Sequence, residues 1–206
     1  MYLTPQHILI AGASGLTGEH LLLAQIGHAH FRRAATAREG HRLLAPHRAV
    51  IVREGKGNKD RVTVLPENLI APLRAFERPL LGVCLGQQLL FERSDEGDGV
   101  ELLGFIPGAV KRLEPAGDLP VPHMGWSRLT RDHVDPLLAG VEDGAYAYFV
   151  HGFVCPDGPA TVARADYGGP VPAVVRSANR WGCQFHPERS AQAGATILKN
   201  FLGLPA

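Results

Sequence analysis

The chain has 206 residues, 45% of them hydrophobic and 20% charged, the balance of an ordinary soluble globular protein able to bury a sizeable core. Its formal net charge is +1, so bulk electrostatics make no case for a nucleic-acid or membrane partner. No run of about 18 uninterrupted apolar residues occurs, and the N-terminus lacks a charged-then-apolar leader pattern.

Along the chain, HILIAG (7–12) is a short apolar run closing on glycine, as in a buried strand, and GASGLTG (12–18) follows it. EHLLLAQIG (19–27) has helical length and ends on Gly27, so the stretch predicts strand, turn and helix. Residues 28–48 are rich in His, Arg and Ala, with weak periodicity. AVIVREGKGNKDRVTVLP (49–66) predicts a hairpin of two β-branched strands. NLIAPLRAF (68–76) predicts a short helix, with Pro72 either in its first turn or breaking it. PLLGVC (79–84) is a continuous apolar run, expected of a central parallel strand covered on both faces. LGQQLLFERS (85–94) predicts a helix. Short strands and turns then follow in LLGFIPGAVKRL, VPHMGWSRL, AYAYFVHGF, TVARADY and AVVRSANRWGCQFHP, and AGATILKNFLGL closes the chain as an amphipathic helix. This is an α/β pattern with a β-rich second half.

Charge divides the chain. Residues 1–77 carry ten Lys and Arg against six Asp and Glu, a net of +4, whereas residues 78–206 carry eleven against fourteen, a net of −3. Six of the ten histidines precede residue 48. Such asymmetry marks either an interaction tail or two sequence origins, and it suggests an N-terminal portion, 1–77, distinct from a C-terminal portion, 78–206. The three cysteines, Cys84, Cys155 and Cys183, form no CxxC pair, which argues against a disulfide framework or a structural zinc site. A reducing cytoplasm is the compartment in which a reactive thiol survives.

Gly82-Val83-Cys84-Leu85-Gly86 places a thiol between two glycines at a strand-to-helix junction. A tight elbow there strains the central residue, and flanking glycines allow close approach of chain and substrate. The helix start favours the thiolate, and the Leu85 N–H can face an oxyanion. CQFHPE (183–188) supplies His186 as base, with Glu188 on the same side of an extended segment to orient it.

PLLGVCLGQQLLF and GCQFHPE resemble the class I glutamine amidotransferases, the Cys-His-Glu glutaminase family. FERSDEG, LLGFIPGAVKRL, VPHMGW, YFVHGF and KNFL narrow the resemblance to the glutaminase subunits of imidazole glycerol phosphate synthase, colinearly over about residues 78–202. The resemblance implies a flavodoxin-like α/β fold, a mostly parallel sheet flanked by helices. It implies glutamine hydrolysis by Cys84, His186 and Glu188, with the Leu85 N–H in the oxyanion hole, and ammonia passed to a (β/α)8-barrel cyclase subunit. No metal or organic cofactor is implied. Gln88 matches the family glutamine that holds the substrate's amino-acid end, and His151 lines the same pocket. After that histidine the family usually has Ser-Tyr, whereas this chain has Gly152-Phe153. PHMGW matches a segment near the ammonia passage and partner interface, which implicates His123, Met124 and Trp126, with Tyr148 beside them. Read from the residues alone, Met124 and Trp126 are expected in the core rather than on a partner surface.

The first 77 residues resemble other things. HILIAGASGLTGEHLL is similar to the opening of an NAD(P)-binding Rossmann protein, with glycines at 12, 15 and 18. HRAVIVREGKGNKDRVTVLPENLIAPLRA is similar to the catalytic-domain hairpin of integron-type tyrosine recombinases, with Lys56 at the hairpin lysine. The family's opening strand and the loop donating the second oxyanion N–H are not recognisable. Two readings follow: a mosaic of fragments joined to a glutaminase, which could survive only as a non-catalytic cyclase-binding protein, or foreign strands replacing the missing ones, with Leu65-Pro66 near the absent loop.

Overall fold

The structure is a computed structural model, and it describes residues 7–15, 18–26, 50–53, 67–96 and 99–205. In chain order the strands are β1 (His7–Gly15), β2 (Gly18–Ile26), β3 (Val50–Arg53), β4 (Leu80–Val83), β5 (Phe91–Ser94), β6 (Val100–Glu101), β7 (Ile106–Arg112), β8 (His123–Arg128), β9 (Thr130–Arg131), β10 (Tyr146–His151), β11 (Phe153–Val154), β12 (Thr161–Asp166), β13 (Pro170–Ser177) and β14 (Arg180–Cys183). The helices are α1 (Glu67–Arg74), the single turn α2 (Leu85–Gln88) and α3 (Ala191–Leu202).

One eight-stranded sheet organises the molecule, in the order β3-β2-β1-β4-β14-β13-β12-β9. Its centre is parallel: Leu80 of β4 aligns with Ile8 on one side and Arg180 on the other, and Val83 aligns with Ala11 and Cys183. Outward from there the pairing is antiparallel on both flanks, so parallel order is concentrated where the Cys84 elbow is built. The apolar run of β4 is buried along its whole length, as a strand covered on both faces requires. Strand alternation sends Leu81 and Val83 into a core with Leu9, Phe149, Phe185, Ile197 and Phe201. Leu80 goes to the opposite core, with Ile10, Leu89, Phe91, Ile106 and Val175. A two-stranded sheet, β10-β8, and a four-stranded sheet, β11-β7-β5-β6, complete the sheet structure.

Several expectations are corrected. The helix expected over 19–27 is strand β2, paired residue for residue with β1 from His7↔Ile26 to Gly15↔Gly18. An apolar run such as LLLA suits either state, and pairing with β1 on one edge and β3 on the other decides for the strand. The glycine pattern at 12, 15 and 18 therefore leads into a strand hairpin, and no helix N-terminus follows it for a pyrophosphate to sit on. Val50–Arg53 is a strand as expected, paired with β2; its expected partner at 61–66, Lys56 and Leu65-Pro66 lie outside the described residues. Pro72 sits beyond the first turn of α1, which ends two residues later.

The helix expected over 85–94 stops after one turn, and Phe91–Ser94 is a strand. The carbonyls of Leu89, Leu90 and Phe91 accept the N–H groups of Leu103, Phe105, Ile106 and Gly104 at 2.8–3.0 Å, so they are not available to a continuing helix. The closing helix α3 forms as expected, burying Ile197 and Phe201, and Phe201 meets the His7 ring edge-on at 5.3 Å.

Candidate active site

Cys84 joins β4 to α2 with φ 54° and ψ −108°, a conformation strained for any residue with a side chain. Surrounding hydrogen bonds hold it there. Its N–H donates to the Cys183 carbonyl at 2.7 Å, and its own carbonyl accepts from Gln87 N–H at 3.0 Å. The flanking glycines are steric necessities. A Cβ on Gly82 would lie 2.2 Å from the Gly86 carbonyl oxygen, and one on Gly86 would lie 2.1 Å from the Ile10 carbonyl oxygen of β1. The elbow is thus laid directly on backbone, with Leu85 at the first helical position, where an N–H has no intrahelical acceptor.

His186 follows β14 on a loop that β10 holds in place. Its N–H donates to the Tyr148 carbonyl at 2.8 Å. The buried Ser190 hydroxyl donates to the His186 carbonyl at 2.7 Å and accepts from Tyr148 N–H at 2.9 Å. Helix α3 presses on the same loop, since a Cβ on Gly194 would lie 1.8 Å from the Pro187 carbonyl oxygen. The His186 Nδ1–H donates to Glu188 Oε1 at 2.7 Å, which leaves Nε2 for the thiol.

Burial opposes the imidazolium of His186, but Cys84 and Glu188 outweigh it and carry the pKa up to about 9. The ring therefore holds a proton at neutral pH. Burial likewise pushes Glu188 up, and the contact with His186 brings its carboxyl net below the ordinary range. The buried Nε2 makes no hydrogen bond of good geometry even though Cys84 is its electrostatic partner. The other thiols are no rivals as nucleophiles, because burial pushes Cys155 up to about 12 and raises Cys183 too.

The remaining expected residues separate into two groups. Gln88, His151 and His123 join one buried network. The Phe153 carbonyl accepts both His151 Nδ1–H at 2.8 Å and Gln88 Nε2–H at 3.1 Å. With Nδ1 protonated, His151 Nε2 must accept, and it takes His123 Nδ1–H at 3.0 Å. His123 Nε2 then accepts the Ser127 hydroxyl at 2.9 Å. Both imidazoles are neutral in this arrangement, and burial first, then the neighbouring histidines, lower each to about 4. His123 is further stacked between Phe149 at 4.7 Å and Tyr167 at 3.9 Å. Gly152, next to His151, is half-buried, and among the described residues a Cβ there would meet only Val121 Cγ1 at 3.9 Å.

The second group faces outward. Strand alternation in β8 turns His123 inward and leaves Met124 and Trp126 62% and 51% exposed, so these neighbours in sequence do not share a face. Trp126 meets Tyr148 edge-on at 5.8 Å, and Arg189 of the His186 loop stacks over Tyr148 at 4.8 Å. Sequence reasoning missed Gln184, Ser127, Ser190 and Tyr167. Gln184 had a signal: it is a polar residue in the middle of an apolar strand end. Among the described residues no three His, Cys, Asp or Glu side chains gather as a metal site, and no helix is long and apolar enough to cross a membrane.

A comparison with family models matches residues 28–203 to the glutamine amidotransferase class-I family. The chain belongs to the class-I glutamine amidotransferases. Among curated relatives, the imidazole glycerol phosphate synthase subunit HisH of Xanthomonas oryzae pv. oryzae (strain MAFF 311018) is 42% identical over 200 residues, spanning 97% of this chain and 98% of its own. The protein of that name from Xylella fastidiosa (strain Temecula1) is 54% identical over 140 residues, covering 68% of this chain and 70% of its own. The Xanthomonas alignment runs well into residues 1–77 of this amidotransferase, beyond the stretch that carries the resemblance in sequence. The elbow at Cys84 lies inside the matched region, as do His186 and Glu188.

Proposed function

We propose that this amidotransferase hydrolyses glutamine through Cys84, His186 and Glu188 and delivers the ammonia to a cyclase subunit making imidazole glycerol phosphate in histidine biosynthesis. The observation that carries the reading is the strained Cys84 elbow together with the buried His186, whose Nδ1–H is locked to Glu188 Oε1 at 2.7 Å. The names of the relatives support the pathway.

In the reaction the Cys84 sulfur attacks the carboxamide carbon, forming the C–S bond as the carbonyl electron pair moves to oxygen. The Leu85 N–H faces that oxyanion. The intermediate collapses with cleavage of the C–N bond, and the departing nitrogen takes the proton from His186 and leaves as ammonia. Neutral His186 then takes a proton from water as the hydroxide attacks the thioester. Glutamate leaves, and thiolate and imidazolium are restored. Glu188 holds the tautomer throughout.

Gln88, His151 and Gly152 hold the amino-acid end of glutamine. The outward face of Met124, Trp126 and Tyr148 receives a (β/α)8-barrel cyclase, and His123 lies between that face and the pocket along the ammonia route. The N-terminal portion 1–77 serves this same catalytic unit. The setting is the cytoplasm, where the three free thiols survive. The test is glutamine turnover by the full chain with a purified cyclase subunit and its nucleotide ligand, beside Cys84→Ser. Turnover is expected only with Cys84 present; equal turnover by both proteins would reject the proposal.

A further inference from the structure

Gln184 lies two residues before the catalytic histidine, fully buried, with both ends of its amide committed. Its Nε2 donates to Cys84 Sγ at 3.9 Å, and its Oε1 accepts from Gln88 Nε2 at 3.3 Å. The orientation of this amide is dictated from outside. The Phe153 carbonyl can only accept, so the Gln88 side chain must turn its NH2 group toward it, at 3.1 Å. That same NH2 group reaches Gln184, which must therefore offer its oxygen there and its nitrogen to the sulfur. His151 Nδ1–H, donating to the same Phe153 carbonyl at 2.8 Å, secures the polarity.

We propose that Gln184 is a further catalytic residue, a neutral donor aimed at the nucleophilic sulfur and fixed in that direction by Gln88 and the Phe153 carbonyl. The proposal rests on Cys84 being the nucleophile. On another side of the sulfur the Val150 carbonyl, at 3.7 Å, accepts from the thiol and repels the thiolate. In the thiolate form the Val150 contact is lost and the Gln184 contact is stronger, because a donor bonds a charged sulfur better than a neutral one. A buried amide is costly without partners, and Gln184 points its NH2 group at a weak acceptor whose strength rises only when the thiol ionises. It carries no titrating proton of its own, so it supports the thiolate without competing for the proton that His186 must deliver.

The test uses the full chain. Gln184→Met keeps the length of the side chain and removes the donor, and Gln184→Glu presents oxygen to the sulfur. Both are expected to slow alkylation of Cys84 by iodoacetamide at neutral pH, Gln184→Met by about 3- to 10-fold and Gln184→Glu by more, with glutaminase kcat falling in the same order. Alkylation rates equal to wild type, whatever happens to kcat, would overturn the proposal, because a merely structural role leaves a small uncharged reagent's reaction with the thiol unchanged. A second measurement needs no Gln184 variant: the side-chain amide resonances of Gln184, followed by NMR, are expected to move on Cys84→Ala, and unmoved resonances would also overturn it. Alkylated wild type that still turns over glutamine would instead overturn Cys84 as nucleophile, an outcome distinct from the other two.

Discussion

Acid should weaken this fold through the His123–His151 pair. His151 has an ordinary value of 6.5 once unfolded and about 4 when folded, pushed there by burial and by His186 beside it against the pull of the Phe153 carbonyl. Between those values the unfolded chain holds a proton that the folded chain does not, so stability rises with pH across the window and falls as pH drops through it. His186 works elsewhere. Raised to about 9, it is protonated in both states below 6.5, and its contribution is lost only as pH rises from 6.5 through 9. Lowering the pH from 7 to 5 should therefore cost about 2 kcal/mol through His151 alone, by linkage. The assay is urea unfolding of wild type and His151→Gln at pH 7, 6 and 5, with stability taken from midpoint and slope at each. The difference between the two proteins should shrink by about that amount toward pH 5. A difference that stays constant with pH would refute the neutral, hydrogen-bonded pair.

Three substitutions probe the scaffold. Gly86→Ala drives a Cβ to 2.1 Å from the Ile10 carbonyl oxygen, so α2 must lift from β1; a loss of about 1–3 kcal/mol in urea unfolding and a large drop in glutaminase kcat are expected. Gly194→Ala meets the Pro187 carbonyl oxygen at 1.8 Å and pushes the loop that holds His186, so glutaminase kcat should fall with stability, and a variant as active as wild type would dismiss that coupling. Gly152→Ser adds a hydroxyl where, among the described residues, a Cβ meets only Val121 Cγ1 at 3.9 Å, and glutamine KM should drop roughly 2- to 10-fold, the worth of one added hydrogen bond.

Cys84, His186 and Glu188 were legible as candidates because their pattern is local: a thiol between two glycines after an apolar strand, and a histidine two residues from a carboxylate. The central strand and the closing helix were legible from hydrophobic pattern. Strands β1 and β3 were legible in the same way, but β2 was not, because LLLA reads as helix or strand until a partner is known, and β1 and β3 supply that partner. The pairing of His123 with His151 depends on the β8–β10 register, which sets them opposite each other across 28 residues of chain. Met124 and Trp126, apolar in composition, read as core from the residues alone, and the alternation of β8 turns them to the surface instead.

The elbow's strain has a consequence for the N-terminal segment. Cys84 keeps its φ of 54° only while α2 lies flat on the strands beneath it, and the closest of those approaches is to Ile10 of β1. Strand β1 also pairs in parallel with the whole of β4, from Ile8↔Leu80 to Ala11↔Val83, covering an edge that would otherwise stand open beside Cys84. Leu9 enters the core that holds Val83 and Phe185, and Ile10 enters the other. The strand therefore belongs to the catalytic scaffold, whatever the origin of the sequence around it. Its removal would relax Cys84 toward an unstrained conformation and lose the direction of the sulfur toward His186 and Gln184 together.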